Sequence, residues 1–145
     1  MEFSRHCTIN WTGSVMEGSG AVAAGSGAFS LPVTFPRRIG EPEGMTSPEE
    51  LMAAAHAACF AMALNGAVGR KGGAIAKTQI TCEVTADKGD AGIKITTSAL
   101  SLVAEGVTGL DAAALTAVAH EAESKCPVSN AYRGSMTGTL AVVVK

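Results

Sequence analysis

The stretch SPEELMAAAHAACFAMAL, residues 47–64, decides how this chain folds. Ser47 is a suitable N-cap, and Pro48 suits the first helical position, where its missing N–H costs nothing. Glu50 follows Ser47 by three residues and completes a capping-box pattern. The residues that follow are almost wholly apolar, so we expect a long helix from about 48 to about 68, ending at GRKGG. Such a helix must be covered on most of its sides.

The remaining segments predict strands and one further long helix. Residues 6–11 and a glycine-rich hairpin after them are typical of strands, and residues 36–46, with two prolines and two glycines, predict a loop. Two strands joined by a turn in DKGDAG follow the long helix. Asp111 is expected to cap a helix that runs to about 125 and buries Leu115, Val118, Ala119 and Ala122. Cys126-Pro127 opens a short further helix before a closing strand.

Side-chain alternation in the two strands after the long helix predicts their buried faces. Ile80, Cys82, Val84 and Ala86 share one face of the first strand. In the second strand, the isoleucines at 93 and 95 are out of parity with the leucines at 100 and 102, so we expect a bulge near 96–99. The order βββ–α–ββ–α–β predicts an α+β fold with β-sheets around a long central apolar helix.

Length and composition predict one domain over residues 1–145. Apolar residues make up 47% of the chain, which fits a compact core, and the net charge of −2 gives no support for a nucleic-acid partner. The N-terminus has no apolar signal-peptide core, and the apolar run 51–64, interrupted by His56, falls short of a bilayer span. We therefore expect a cytoplasmic protein without a membrane partner.

The composition of the long helix also predicts a homodimer. One small domain has difficulty burying an apolar helix on all sides, and alanine-rich surfaces let two helices approach closely. We expect two copies of the helix to pack together through a face that includes Leu51, Met52, Ala55, Ala58, Cys59, Met62 and Ala63.

The four cysteines, Cys7, Cys59, Cys82 and Cys126, do not form a metal-binding or structural pattern. None lies in a C-x-x-C arrangement, so a metal site is not expected, and a disulfide in a reducing compartment would be transient. Cys7 and Cys82 occupy strand positions typical of packing residues.

Cys59 and Cys126 are the candidates for thiol chemistry. Cys59 lies among apolar residues, so it needs a nearby cation to ionise; the candidates are Arg37, Arg38 and, more weakly, His56. Cys126 precedes the short helix, whose free N–H groups favour a thiolate. Both residues can also be plain buried packing residues.

Glu49 lies at the start of the long helix, where capping alone accounts for its charge. It precedes Cys59 by ten residues, about 15 Å of helix rise, so it cannot touch Cys59 on its own helix. If both serve one site through an arginine, either the loop arginine bridges a long gap or Glu49 comes from the other subunit, and we favour the second arrangement.

These residues leave three functions open. A peroxidase would oxidise one thiol and close a disulfide with the other. A cysteine acyl transferase or esterase would pair Cys59 with His56, although no third residue is marked to orient the histidine. A non-enzymatic thiol sensor would change a partner interface on oxidation.

SPEELMAAAHAACFAMAL followed by CPVSNAY (126–132) resembles the OsmC/Ohr family, named for osmotically inducible protein C and organic hydroperoxide resistance protein. The resemblance covers essentially the whole chain, and AAHAACF is more similar to the OsmC branch. It implies an OsmC-like α+β fold, an intertwined homodimer with active sites at the subunit interface, and a thiol peroxidase without metal or other cofactor that serves in oxidative or osmotic stress.

Carried over by position, the resemblance implies a role for four residues. Cys59 becomes the peroxidatic cysteine, which is oxidised to sulfenic acid, and Cys126 the resolving cysteine. Glu49 holds the activating arginine, Arg38, with Arg37 as the alternative because the loop is one residue longer than expected. An external dithiol of the lipoyl or thioredoxin type would restore the pair.

The substrate pocket is expected to be lined by apolar side chains of the long helix. Burying an alkyl group is worth about 0.8 kcal/mol per CH₂, so such a pocket favours organic hydroperoxides over hydrogen peroxide. The expected lining residues are Met52, His56, Phe60, Met62 and Leu64.

Overall fold

The computed structural model describes all 145 residues as six strands and four helices. Their order confirms the α+β prediction, including the short helix that follows Cys126, and adds one short helix, α1, that the sequence analysis did not predict. The elements are β1 Cys7–Thr12, β2 Ser19–Ala24, β3 Ser30–Val33, α1 Phe35–Ile39, α2 Pro48–Arg70, β4 Ala74–Gly89, β5 Gly92–Thr108, α3 Ala112–Lys125, α4 Pro127–Tyr132 and β6 Thr137–Val144.

The chain forms two compact units, residues 1–51 and 52–145. The first unit contains an antiparallel sheet in the order β1-β2-β3, in which every residue of β1 is exposed. The second unit contains the sheet β4-β5-β6, the larger part of α2, and helices α3 and α4. That the two units make one domain stays a prediction.

Helix α2 begins where its sequence predicts and ends two residues later than expected. Ser47 accepts a hydrogen bond from the Glu50 backbone N–H at 3.1 Å, as an N-cap does. Gly72, with φ +76°, follows the last turn in the left-handed conformation that glycine adopts without strain. The capping box is only half formed, because the Glu50 carboxylate accepts a hydrogen bond from the Thr46 hydroxyl at 2.8 Å.

The core of the second unit lies where α2 and α3 cover the sheet. One stripe of α2, Phe60, Leu64 and Val68, is fully buried in a cluster with residues of β5. Helix α3 starts after Asp111, which accepts a hydrogen bond from the Ala114 N–H at 2.7 Å, and it buries the four predicted residues. The other core members are Ala67, Leu100, Leu102, Ala104 and Cys126.

Strands β4 and β5 form a long antiparallel ladder with one irregularity. Thr85 pairs with Thr97 and Ala86 pairs with Ile95, so Thr96 is the extra residue of a bulge, at the edge of the predicted stretch. The extra residue turns Ile95 toward the face that carries the buried β5 residues. Strand β6 then pairs with β5 in parallel, from Thr97↔Thr137 to Ala104↔Val144.

Two expectations about chain segments were wrong. Residues 36–46 are not all loop, because Thr34 caps a short helix, α1, that holds both arginines of PRR. Helix α2 is also long and apolar enough, by length and composition, to cross a membrane. Its 23 residues extend beyond both ends of the apolar run 51–64. Its buried stripe nevertheless belongs to the core that it forms with the second sheet.

The side of α2 opposite the buried stripe is uncovered in the single chain. Its exposed residues repeat at helical spacing and are mostly small or apolar, so this face has the character expected of a helix–helix contact. The exposed residues are Ala54, Ala55, Ala58, Met62, Asn65, Gly66 and Gly69.

Candidate active site

Two thiols that are far apart in the sequence meet in the second unit. The Sγ atoms of Cys59 and Cys126 are 2.9 Å apart, although the residues are separated by 67 positions. Both cysteines are free, Cys126 is fully buried, and Cys59 is partly exposed. A disulfide bond is about 2.05 Å long, so the two sulfurs need to approach by only about 1 Å to be joined.

The local structure explains how each sulfur is held. Cys59 lies in the middle of α2, one residue before the buried Phe60, so its position is fixed by the core that Phe60 enters. Cys126 is the junction between α3 and α4 and serves as the N-cap residue of α4. Pro127 makes α4 begin directly after Cys126, so Cys126 stands at the N-terminal end of α4, where its side chain makes no cap hydrogen bond.

The surroundings shift the pKa values of the two thiols in opposite directions. Burial raises the pKa of the Cys59 thiol, and its hydrogen bond with Cys126 raises it further. Burial also raises the pKa of Cys126, but hydrogen bonding outweighs this effect, and the pKa of Cys126 is lowered. The hydrogen bonds come from Cys59, from the backbone and side chain of Ser129, and from the backbone of Val128. Two adjacent thiols lose their first proton as a pair, and the hydrogen bonds around Cys126 favour the charged form of that pair.

Next to this pair, a buried histidine is held between two serines. His56 Nδ1 lies 2.7 Å from Ser98 Oγ, and His56 Nε2 lies 2.7 Å from Ser129 Oγ. Cys82 Sγ lies 3.4 Å from Ser98 Oγ and 3.7 Å from His56 Nδ1. His56 is only 2% exposed, and burial lowers its pKa, which keeps the ring neutral near pH 7.

A cavity of about 230 Å³ opens beside this cluster. His56, Ser98 and Ser129 line it together with Tyr132, whose ring edge packs on the His56 ring at 5.4 Å between centroids. Glu123 and Arg133, joined by an ion pair at 3.2 Å, also line it. The cavity is polar and does not include Met52, Phe60 or Met62, so it is not the expected apolar substrate pocket.

The first unit holds an arginine–glutamate pair. Arg38 Nη2 and Nε both donate to the Glu49 carboxylate, at distances of 2.6 and 3.1 Å, which is bidentate pairing. Both side chains are largely buried, with 25% and 13% exposed. The hydrogen bond from Arg38 holds the pKa of Glu49 below its usual range, and the hydrogen bond to Glu49 raises the pKa of Arg38.

The neighbouring Arg37 has different partners. Its Nη2 lies 2.6 Å from the carboxylate of Glu43, and its Nη1 donates to the Glu41 carbonyl at 3.3 Å. Both members of the Arg37–Glu43 pair are well exposed. Of the two loop arginines, Arg38 is therefore the one that Glu49 orients.

Sequence and structure comparisons decide the family. The family model described as OsmC-like protein matches residues 40–141. The chain is also 41% identical over 130 residues to peroxiredoxin OsmC of Escherichia coli strain K12, covering 88% of this chain and 89% of that protein. The chain belongs to the OsmC-like family.

Other members of the OsmC-like family are more distant. The organic hydroperoxide resistance protein of Xanthomonas axonopodis pv. citri is 32% identical over 127 residues, which cover 85% of each chain. The crystal structure of an organic hydroperoxide resistance protein OsmC from Legionella pneumophila superposes with a TM-score of 0.74 at 30% identity, covering 94% of this chain and 96% of that one. The higher identity to peroxiredoxin OsmC confirms the OsmC branch.

The residues expected to line the substrate pocket of this OsmC-like protein differ in burial, and their role stays a prediction. Phe60 and His56 are buried in the core, at 0% and 2% exposure, whereas Met62 is 72% exposed. Phe60 and Met62 differ by two positions, about 200° around a helix, so their side chains leave opposite sides. Leu64 is also fully buried, and Met52 accepts a hydrogen bond from the Tyr132 hydroxyl through its carbonyl at 3.1 Å.

Sequence reasoning missed the partners of His56. Ser98 and Ser129 lie 42 and 73 positions from it, and the strand position of Cys82 predicts only a packing residue. The sequence does contain a signal for part of this cluster. Cys82 pairs with Leu100, and Val84 pairs with Ser98, so alternation along the two strands places Cys82 and Ser98 on the same face, the one toward α2. The structure contains no group of three or more His, Cys, Asp or Glu side chains arranged to hold a metal ion.

Proposed function

We propose that this protein is a thiol-dependent peroxidase that reduces organic hydroperoxides to alcohols in stress defence. The observation that carries the proposal is the 2.9 Å separation of the Cys59 and Cys126 sulfurs, which allows a disulfide to form with little movement. The names of its relatives, peroxiredoxin OsmC and organic hydroperoxide resistance protein, support a peroxidase-type role.

In the proposed reaction, the Cys59 thiolate attacks the O–O bond of ROOH. One oxygen stays on Cys59 as sulfenic acid, and the other leaves, takes up a proton and becomes ROH. Cys126 then attacks the sulfenic sulfur, water leaves, and a Cys59–Cys126 disulfide remains. An external dithiol of the lipoyl or thioredoxin type reduces that disulfide by thiol exchange and is itself oxidised.

The attacking thiolate needs a positive charge, because burial alone raises the pKa of Cys59. We assign this charge to Arg38, whose guanidinium is fully ionised. It donates two hydrogen bonds to the carboxylate of Glu49 in the same chain, which hold it in place. Arg38 would also stabilise the negative charge that develops on the leaving oxygen. The further assignments are a homodimer, an active site completed across its interface, and a cytoplasmic location.

The test of the two cysteine roles is a pair of variants, Cys59→Ser and Cys126→Ser, assayed for hydroperoxide consumption with and without a dithiol. We expect no reaction from Cys59→Ser and a single turnover from Cys126→Ser. Cys7→Ser, which changes an exposed thiol, is the matched control and should retain full turnover. A single turnover from Cys59→Ser and none from Cys126→Ser would reverse the proposed roles.

The apolar surroundings of Cys59 also predict a preference for organic substrates. Met62 is exposed one turn beyond Cys59 on the same side of α2, so it is the apolar side chain best placed to meet an alkyl group. We expect a higher kcat/KM for cumene hydroperoxide than for hydrogen peroxide. Comparable values would contradict the preference without affecting the cysteine chemistry.

The geometry does not favour a hydrolase, and the two other functions make predictions that differ from those of a peroxidase. Both ring nitrogens of His56 are engaged by serines, and Cys82 is the thiol within reach of its ring, so a Cys59–His56 hydrolase pair is not formed. A hydrolase would tolerate Cys126→Ser and accumulate an acyl-enzyme with activated esters. A thiol sensor would react slowly with hydroperoxide and show no repeated turnover with any dithiol.

A further inference from the structure

Helices α2 and α4 are joined by a contact at each end of α4. At the N-terminal end, the Cys126 sulfur lies 2.9 Å from the Cys59 sulfur on α2. At the C-terminal end, the hydroxyl of Tyr132, the last residue of α4, donates a hydrogen bond to the backbone carbonyl of Met52 on α2 at 3.1 Å. The paired residues are 67 and 80 positions apart in the sequence, so both contacts are tertiary.

A third contact lies between these two. His56 Nε2 on α2 lies 2.7 Å from Ser129 Oγ on α4, and the rings of His56 and Tyr132 meet edge to face at 5.4 Å between centroids. Counted back from Cys59, His56 is reached after three residues and Met52 after seven, a spacing that keeps all three on one side of a helix. The three contacts therefore follow one another in order along both helices and fix α4 lengthwise against α2.

The Tyr132 hydroxyl is suited to hold its end of α4. Burial raises the pKa of Tyr132, so the phenol keeps its hydrogen at neutral pH and acts as a donor. A backbone carbonyl has two lone pairs, so the Met52 oxygen can take part in a helix hydrogen bond and still accept from a side chain. The contact with α4 therefore does not require any break in α2.

The position of α4 sets the position of the Cys126 sulfur. Cys126 is the N-cap residue of α4, and Pro127 starts the helix directly after it. The two sulfurs still have to approach by about 1 Å to be joined. Because a misplacement of about 1 Å can slow a reaction about 100-fold, closure of the disulfide is sensitive to small shifts of α4.

We propose that Tyr132 is a positioning residue that holds α4 against α2, and thereby holds Cys126 against Cys59, for closure of the disulfide. The role rests on the proposed peroxidase function for its use. The contact that carries it is the hydrogen bond from Tyr132 to the Met52 carbonyl.

Disulfide closure is a separate step from the oxidation of Cys59. In closure, the Cys126 thiolate supplies the electron pair for the new S–S bond, the S–O bond of the Cys59 sulfenic acid breaks, and hydroxide leaves and takes up a proton to become water. The earlier attack of Cys59 on hydroperoxide does not involve Cys126. A displaced α4 therefore slows closure alone, and the waiting sulfenic acid is exposed to a second hydroperoxide, which oxidises it to sulfinic acid.

The first test follows closure without any hydroperoxide. Cys59 attacks 2,2′-dipyridyl disulfide, which leaves a mixed disulfide on Cys59 and releases one 2-thiopyridone. Attack of the Cys126 thiolate on the Cys59 sulfur then closes the protein disulfide and releases a second 2-thiopyridone. Every protein in this test also carries Cys7→Ser and Cys82→Ala, so that only the pair reacts.

Tyr132→Phe removes the hydroxyl and retains the ring that contacts His56. It should slow the second release about fivefold, the effect of one neutral hydrogen bond, and leave the first release unchanged. Ser135→Ala is the matched control, because the exposed Ser135 hydroxyl donates to the carbonyl of the same tyrosine at 2.7 Å and does not bridge to α2. It should leave both releases unchanged.

The second test uses an organic hydroperoxide and measures sulfinic acid on Cys59 by mass spectrometry. Closure and overoxidation compete for the same sulfenic acid. Tyr132→Phe should therefore reach half-overoxidation at about one fifth of the hydroperoxide concentration that the unchanged protein requires, in proportion to its slower closure. Ser135→Ala should require the same concentration as the unchanged protein.

An unchanged second release in Tyr132→Phe, or a slowing of both releases by the same factor, would overturn the proposal even if the protein is a peroxidase. A slower second release alone, together with failure of the peroxidase assay, would support the positioning of Cys126 by Tyr132 and contradict only the proposed function.

Discussion

At the scale of single residues, two close pairs account for the chemistry that the chain can perform. The sulfurs of Cys59 and Cys126 lie 2.9 Å apart, and Arg38 and Glu49 form a bidentate ion pair. The sequence predicted the residues of both pairs through a family resemblance. It could not predict how His56 is held, because no local pattern connects a helix residue with serines 42 and 73 positions away.

The Arg38–Glu49 pair predicts a pH-dependent contribution to stability. The pKa of Glu49 is lowered by folding, so its contribution is fully present above the unfolded value and is lost as the pH falls through the folded value. Glu49→Gln should therefore reduce the free energy of unfolding by about 1 kcal/mol at pH 7, the upper range for partly exposed pairs. Below about pH 4, where a free glutamate is mostly protonated, the difference should shrink.

Urea unfolding of the unchanged protein and of Glu49→Gln, at pH values from 7 to below about 4, measures this difference in the free energy of unfolding. Glu43→Gln, which breaks the exposed pair with Arg37, is the matched control and should change stability little at any pH. If the loss of unfolding free energy in Glu49→Gln grew as the pH fell, the Arg38–Glu49 pair would not be the source of the pH-dependent stability.

At the scale of elements, the order and burial of the helices and strands were predictable from periodicity. The buried face of α3, the partly buried face of β4 and the bulge in β5 follow from side-chain spacing, which is a local property. Helix α1 was missed because the prolines and glycines of residues 36–46 suggested a loop, although Thr34 and Pro36 are a usable start signal. The parallel pairing of β5 with β6 is a long-range contact that no local pattern indicates.

The uncovered face of α2 predicts how the helix is used. Ala58 belongs to the exposed row that runs from Ala54 to Gly69, and we expect this row to pack against the partner's helix. Ala58→Glu should place a charge in that contact and convert a dimer into a monomer of 14.6 kDa. Ala113→Glu, an exposed alanine on α3, is the matched control.

Sedimentation or light scattering reports the mass of both variants. An Ala58→Glu protein that remains a dimer would show that the α2 face is not the contact between subunits.

At the scale of the whole molecule, the separation of Glu49 and Cys59 along α2 raises the question of which chain completes each site. The ten intervening residues span about 15 Å of helix, so Glu49 does not reach the sulfur on its own helix. Glu49 is bound to Arg38 of the same chain, and the two must therefore enter any site together.

An assay of mixed dimers tests whether the pair acts across the interface. Each chain of a heterodimer carries one change, Glu49→Ala or Cys59→Ser, so one site receives both intact groups if Glu49 serves the partner's Cys59. We expect partial recovery of peroxidase activity, and the same recovery when Arg38→Ala replaces Glu49→Ala. Complete inactivity of verified heterodimers would place Glu49 in the site of its own chain.

The most direct measurement for the whole account is mass spectrometry of the reduced protein after a stoichiometric amount of organic hydroperoxide. The account predicts loss of two hydrogens and a single cross-linked peptide pair that joins Cys59 to Cys126, with Cys7 and Cys82 still reduced. It further predicts that Cys126→Ser protein gains one oxygen on Cys59. A protein that consumes no hydroperoxide, or whose disulfide excludes either sulfur, would contradict the central claim.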